Sequence, residues 1–154
     1  MADHVIETRC WLPRPRADVF AFFADPRSLE QLVPRLRWRS PPPPLDAGAV
    51  LDFRVAILGV PTTWRLIVRE WDPPHRFVDA LVRGPFARWE HRHRFVEGPE
   101  HEAAGDRPGT WVEDRLTYRF AGGPLGRALD ALGASARVEA AFAYRRRRLR
   151  ALLG

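Results

Sequence analysis

The chain has 154 residues, 45% of them hydrophobic and 29% charged, a profile that fits one soluble globular domain and excludes a disordered or fibrous chain. No apolar run approaches the roughly 20 residues of a membrane span, and the opening "MADHVIETRCW" lacks the apolar core of a signal peptide. The net charge is +6 and all 25 basic residues are arginine; beside 15 prolines this reads first as the coding bias of a GC-rich genome, and it bears on solubility and encounter rather than on fold.

Residues 4–12 alternate as a strand, with Ile6, Thr8, Cys10 and Leu12 on one side. Cys10 is the only cysteine, which excludes an internal disulfide and fits a reducing, cytoplasmic setting. "PRPRADVFAFFADP" predicts a short helix: Pro15 suits its first turn, Asp18 complements the dipole there, and Pro26 closes it. "SLEQLVP" adds a turn or two more, and Leu36 to Arg39 a short strand before the breaker "PPPPLDAG". Leu51, Phe53, Val55 and Ile57 form the apolar face of the next strand, which Gly59-Val60-Pro61 turns around. Trp64, Leu66, Val68 and Glu70 share a face of the strand after it, which stops at Pro73-Pro74. Phe77 to Val82 predicts another strand, "RGPFAR" a turn, and residues 89–97 the strand beyond it.

That last strand carries the sharpest signal. In "WEHRHRF", Trp89, His91, His93 and Phe95 share one face, while Glu90, Arg92 and Arg94 share the other. The charges mark the wet side, so two histidines point inward. Residues 98–109 read as a mobile hairpin loop, and in 110–120 Val112, Asp114, Leu116, Tyr118 and Phe120 face inward. After Gly122-Gly123-Pro124 the period becomes helical, and Leu125, Leu129, Leu132, Ala136, Phe142, Leu149 and Leu153 predict one long C-terminal helix.

This order, with the stretches "LPRPRADVFAFFADPRSLEQLVP", "RFVDALVRGPFARWEHRHRF" and "GPLGRALDALGASARVEAAFAYRRRRL", resembles the START-like or Bet v 1-like superfamily, often labelled polyketide cyclase/dehydrase or SRPBCC proteins. The resemblance spans nearly the whole chain and implies an α+β helix-grip fold over residues 1–154 as one domain. Six to seven antiparallel strands would curve around the long C-terminal helix, with two short helices after the first strand and an apolar cavity between helix and sheet. A sheet with one wet face also needs a cover for its dry one, which supports the same layout. The fold serves carriers, sensors and cyclases alike, so function has to be argued from the site.

The inward polar residues are Asp79, His91, His93, Asp114 and Tyr118, with Trp64 and Trp89 around them. The turn chemistry suggests Leu81 opposite His91 and Asp79 opposite His93, with the register free by two residues. Three readings stand. The carboxylates and imidazoles satisfy one another as a structural patch; or they meet the polar end of a small hydrophobic ligand lined by Trp64, Leu66, Trp89, Tyr118 and Phe142; or His91 or His93, oriented by Asp79 or Asp114, acts as general acid/base in a cofactor-free dehydration or cyclisation. A metal held by His91, His93 and Asp114 is a fourth arrangement, but His-x-His alone is a weak signal, and neither a metal nor another cofactor is expected.

In "YRRRRLR", Arg145, Arg146, Arg147 and Arg148 cover nearly a full helical turn, so at least one leans across the sheet side, where it caps the cavity or pairs with an acid. The rest form a solvated helix end or a transient contact with an anionic membrane surface, and an acidic protein partner is a further alternative. No nucleic-acid reader motif is present, and no nucleic acid is expected.

Overall fold

The computed structural model describes residues 2–101 and 108–154. Its elements are β1 (His4–Leu12), α1 (Arg16–Ala24), α2 (Ser28–Leu32), β2 (Arg37–Trp38), β3 (Val50–Ile57), β4 (Val60–Asp72), β5 (Arg76–Arg83), β6 (Phe86–Glu97), β7 (Thr110–Phe120), α3 (Gly123–Ala131) and α4 (Ala134–Leu153). Seven strands make one sheet in the order β1-β7-β6-β5-β4-β3-β2, with every pair antiparallel. From β2 to β7 sequence neighbours are sheet neighbours. Only β1 crosses to the far side of β7, and α1 and α2 lie in that crossing. α4 runs along β1 and against α2, while α1 packs on β6. This is the expected helix grip.

The alternation that predicts the strands also sets the dry face. On β7, Val112, Asp114, Leu116, Tyr118 and Phe120 are all buried. Two apolar clusters lie toward opposite ends of this face. One gathers Leu12, Phe20, Phe23, Phe77, Phe95, Val112 and Leu149; the other is split between Leu51, Phe53, Trp64 and Leu66 and Leu116, Tyr118, Phe120 and Phe142. Between them on β5, β6 and β7 come Asp79, His91, His93 and Asp114. A polar band therefore crosses the concave face, with apolar packing on either side.

Several expectations are corrected. The β3–β4 turn is Leu58-Gly59, both with positive φ (53° and 77°), a two-residue hairpin turn, so Val60 and Pro61 already belong to β4. Glu70 does not share a face with Trp64: a bulge between Val68 and Glu70 turns it outward, where its charge stays hydrated. The β5–β6 turn is only Gly84-Pro85, with Phe86 already in β6. The C-terminal helix is two helices, because Gly133 takes a left-handed φ of 83° between α3 and α4. That break re-aims the stripe: Leu125 and Leu132 are 67% and 72% exposed, Ala136 faces solvent, and the buried positions of α4 are Ala134, Phe142, Arg145 and Leu149. Of the loop expected over 98–109, residues 102–107 lie outside the described residues, and the Gly98 N–H donates to the Gly109 carbonyl at its base (3.1 Å).

Leu149 and Leu132 test this re-aimed stripe. Leu149→Ala should cost about 2–5 kcal/mol, the range for a filled core site, whereas Leu132→Ala should stay within about 0.5 kcal/mol. Urea unfolding of the two variants checks it; equal losses would restore a single continuous stripe.

Candidate functional site

Asp114 on β7 stands opposite His93 on β6, and Asp79 on β5 stands opposite His91. The β5–β6 register thus differs by two residues from the expected Asp79–His93 pairing, because the turn is shorter than "RGPFAR". A shift of two keeps parity, so every inward residue stays inward. The Asp79 side chain still reaches His93 diagonally.

Asp114 Oδ1 is the convergence point. His91 Nε2 donates to it at 3.0 Å, His93 Nδ1 lies 3.1 Å away, and Arg145 Nη2 donates from α4 at 3.2 Å. His93 Nε2 reaches Asp79 Oδ2 at 2.8 Å. An ionised carboxylate only accepts hydrogen bonds, so His93 Nε2 carries a hydrogen toward Asp79, while Nδ1 stands between Asp114 Oδ1 and Arg145 Nη2, the latter 3.3 Å away. Aromatic rings enclose the set: Phe77 stacks on His93 with centroids 4.0 Å apart, Phe142 meets His91 edge-on, and the Arg145 guanidinium lies over Phe23.

The electrostatics follow. Burial pushes both carboxylates up, but they end below their ordinary values: Asp114 well below, because Arg145 and the two imidazoles outweigh burial, and Asp79 lower through His93. Burial favours the neutral form of His93, yet Asp114 and Asp79 together raise it. The sequence suggests a raised value for either ring; His91 goes the other way. Burial and the charge of His93 hold it down to about 4 despite its bond to Asp114. The band therefore sets two carboxylates and one guanidinium against two imidazoles whose pKa values are driven apart.

Trp64, Leu66 and Trp89 form a neighbouring aromatic wall. Trp64 and Trp89 meet edge-to-face at 4.9 Å, and the Trp64 indole donates to Thr62 Oγ1 at 2.9 Å. Tyr118 is buried at the wall's edge but does not join the polar band; its ring stacks on His4 at 4.9 Å. Phe142 joins wall to band. Two depressions, of about 410 and 240 Å³, both involve Arg88 and Glu90. The first lies on the charged outer face of the sheet; the second lies where β5 and β6 run on past their last pair, Ala80–Glu90. The cavity expected between sheet and helix is not among them, and its place holds the side chains of the band.

The arginine run supplies the residue that the expected site set lacks. Arg145 is buried, and its Nε has no acceptor among the described residues, so it is not available for a surface contact. Arg148 donates to the Gln31 carbonyl at 3.1 Å, and Arg147 is exposed. Spacing could have found Arg145, since it continues the stripe Val138, Phe142, Leu149. The metal set His91, His93 and Asp114 is also revised. Asp114 takes the ring hydrogens, and Asp79 offers the third donor atom, within 4.8 Å of one from each histidine. Cys10 is buried, which pushes its thiol pKa up, so it packs rather than reacts.

Stability should peak near pH 6.5. Below about 6.5 the unfolded chain protonates His91 while the folded chain does not until about 4, so stability falls with acid by up to about 1.4 kcal/mol per pH unit. Above about 6.5 the folded chain keeps the His93 proton that the unfolded chain has lost, so stability falls as pH rises through the raised value. Urea unfolding from pH 4.5 to 8.5 checks this. His91→Gln should flatten the acid limb and His93→Gln the alkaline one.

No helix among the described residues is long and apolar enough to cross a membrane. None of the curated proteins matches the sequence. Among solved structures the chain is similar to protein TTHA0849 from Thermus thermophilus, with 23% identity, 95% of this chain and 97% of that chain covered, and a TM-score of 0.65. It is also similar to a START superfamily protein from Mycobacterium smegmatis (14%, 97% and 97%, 0.63) and to ginseng major latex-like protein 151 from Panax ginseng (12%, 90% and 96%, 0.56). At these identities the likeness shows the fold. The family model described as polyketide cyclase / dehydrase and lipid transport matches residues 12–142, well over half of the chain, and the protein belongs to that family.

Proposed function

We propose that this protein, a single domain over residues 1–154 in a cytoplasmic setting, binds a small hydrophobic or aromatic molecule of lipid-, quinone- or polyketide-like type on its concave face. The apolar body would lie along Trp64, Leu66, Trp89, Tyr118 and Phe142, and its polar end would meet the band of Asp79, His91, His93 and Asp114. The observation that carries this reading is Arg145 Nε, a buried N–H without an acceptor among the described residues, beside a charged network. Such a donor costs about 1–3 kcal/mol when unpaired, and a ligand oxygen would satisfy it. A mostly apolar surface with a few convergent polar groups is the usual design of a ligand site, and the family description supports the ligand class. Room would come from the wall: β5 and β6 have no backbone pairing beyond Ala80–Glu90, and a segment with few ladder bonds opens at low cost. If the cargo is a lipid, unloading needs a brief membrane contact, with Arg146, Arg147 and Arg148 as the basic groups that remain.

One observation favours a second reading, a cyclase or dehydratase. His91 and His93 touch (centroids 3.8 Å apart), and their environments push their pKa values in opposite directions. A neutral base beside a protonated acid is the pairing that dehydration requires. His91 would take a proton from carbon, His93 would give one to the departing hydroxyl, and water would leave as the double bond forms.

Native mass spectrometry of the purified protein, followed by titration with an apolar aromatic dye, tests the proposal. A bound small molecule and saturable quenching of tryptophan fluorescence, weakened in Trp89→Ala, are the expected results. The molecule leaving unchanged supports a carrier, and one leaving lighter by a water supports the dehydratase. No bound molecule together with no saturable quenching would overturn both.

A further inference from the structure

The hydrogen bonds around Asp114 sort the ring nitrogens of the band into two sets. His91 Nε2 hydrogen-bonds Asp114 Oδ1, and His93 Nδ1 lies 3.1 Å from the same oxygen. That leaves His91 Nδ1 and His93 Nε2 as the nitrogens that can carry a lone pair. His93 Nε2 points at Asp79 Oδ2, 2.8 Å away, and one donor atom from each of Asp79, His91 and His93 lies within 4.8 Å of the other two. A lone pair on nitrogen facing a carboxylate oxygen at that distance repels unless a cation sits between them. In the metal-free protein the proton on His93 Nε2 fills that place.

We propose that Asp79, His91 and His93 form a binding site for one divalent transition-metal ion, with Asp114 as the carboxylate that orients both imidazoles. The donor set suits zinc, cobalt or nickel: two imidazoles with one carboxylate select such ions over magnesium and calcium, which take oxygen shells. The spacing also suits them. Neighbouring ligands on an ion with bonds of about 2.0–2.1 Å stand about 2.9–3.4 Å apart, so the 2.8 Å between His93 Nε2 and Asp79 Oδ2 already lies close to the spacing of adjacent ligands. Metal-ligating histidines donate their other N–H to a carboxylate, which fixes tautomer and ring plane; here one oxygen of Asp114 serves both rings, and Arg145 holds that oxygen from α4. Asp79 is the most exposed of the four side chains, at 13%, and marks the side of entry. Binding exchanges charge as follows: the ion enters, His93 loses its Nε2 proton to solvent, and Asp79 and both histidines each gain one metal bond. Three protein ligands leave at least one coordination position for a water or an oxygen of a bound molecule. The site does not depend on the ligand-binding reading, since its donors are complete without a second molecule.

Cobalt(II) titration of the metal-free protein tests the site. One ion per chain should bind with a visible absorption band. His93→Gln and Asp79→Asn should each weaken binding by at least about 100-fold, and Asp114→Asn by about 10–100-fold, while His75→Gln on the surface should leave it unchanged. A variant that fails to fold does not block the test. In the unaltered protein, proton NMR should show two paramagnetically shifted histidine rings, His91 and His93. Weak binding with those two rings unmoved, or full-strength binding to folded Asp79→Asn, would overturn the proposal.

Discussion

One buried oxygen constrains much of this molecule. Asp114 Oδ1 accepts hydrogen bonds from His91 on β6 and Arg145 on α4 and lies 3.1 Å from His93 Nδ1 on β6. A carboxylate taken out of water costs several kcal/mol unless its partners recover that energy through good geometry. The partners therefore have to arrive together: His91 and His93 two residues apart on one strand, and Arg145 from the helix laid across it. The position of α4 over the sheet is thus set by charge as well as by the apolar contacts of Phe142 and Leu149.

The same constraint explains why the network is a closed set. Asp79 is a second partly buried carboxylate, and with Asp114 it raises the pKa of His93. Burial and the neighbouring His93 push that of His91 the other way. Two chemically identical side chains, two residues apart, are thereby driven in opposite directions. A packed apolar band of the same volume would often be as stable or more so. Apolar clusters already hold the sheet to its helices on either side of the band, so its polar residues add orientation to packing that is present without them.

Much of this was legible in the sequence, and the rest was not for physical reasons. Strand parity is local, so "WEHRHRF" and "TWVEDRLTYRF" place the histidines and Asp114 on the dry face without any knowledge of the turns. Register is not local: a turn shorter than it reads shifted the pairing by two residues and moved Asp79 from opposite His93 to opposite His91, and only the diagonal reach of the side chain kept their contact. Glu70 looked inward because alternation was extended through a bulge that no residue type announces. Leu125 and Leu132 looked buried because a helical period was carried across Gly133, whose left-handed backbone resets the phase. Arg145 lay in plain view within a run of four arginines. The run shows that one must turn inward; which one follows only when the stripe is traced through Val138 and Phe142 to Leu149. Tyr118 had the right face but the wrong end of the strand, four residues from Asp114 and beside His4.

The most direct measurement is an NMR titration of the imidazole ring protons in the metal-free, ligand-free protein. His93 should titrate above the usual imidazole value and His91 should remain neutral down to about pH 4, with a low-field exchange-protected proton marking the His93–Asp79 bond. Should His91 and His93 titrate together near the usual imidazole value, the two histidines are not held by buried carboxylates, and the polar band does not exist as a charged network.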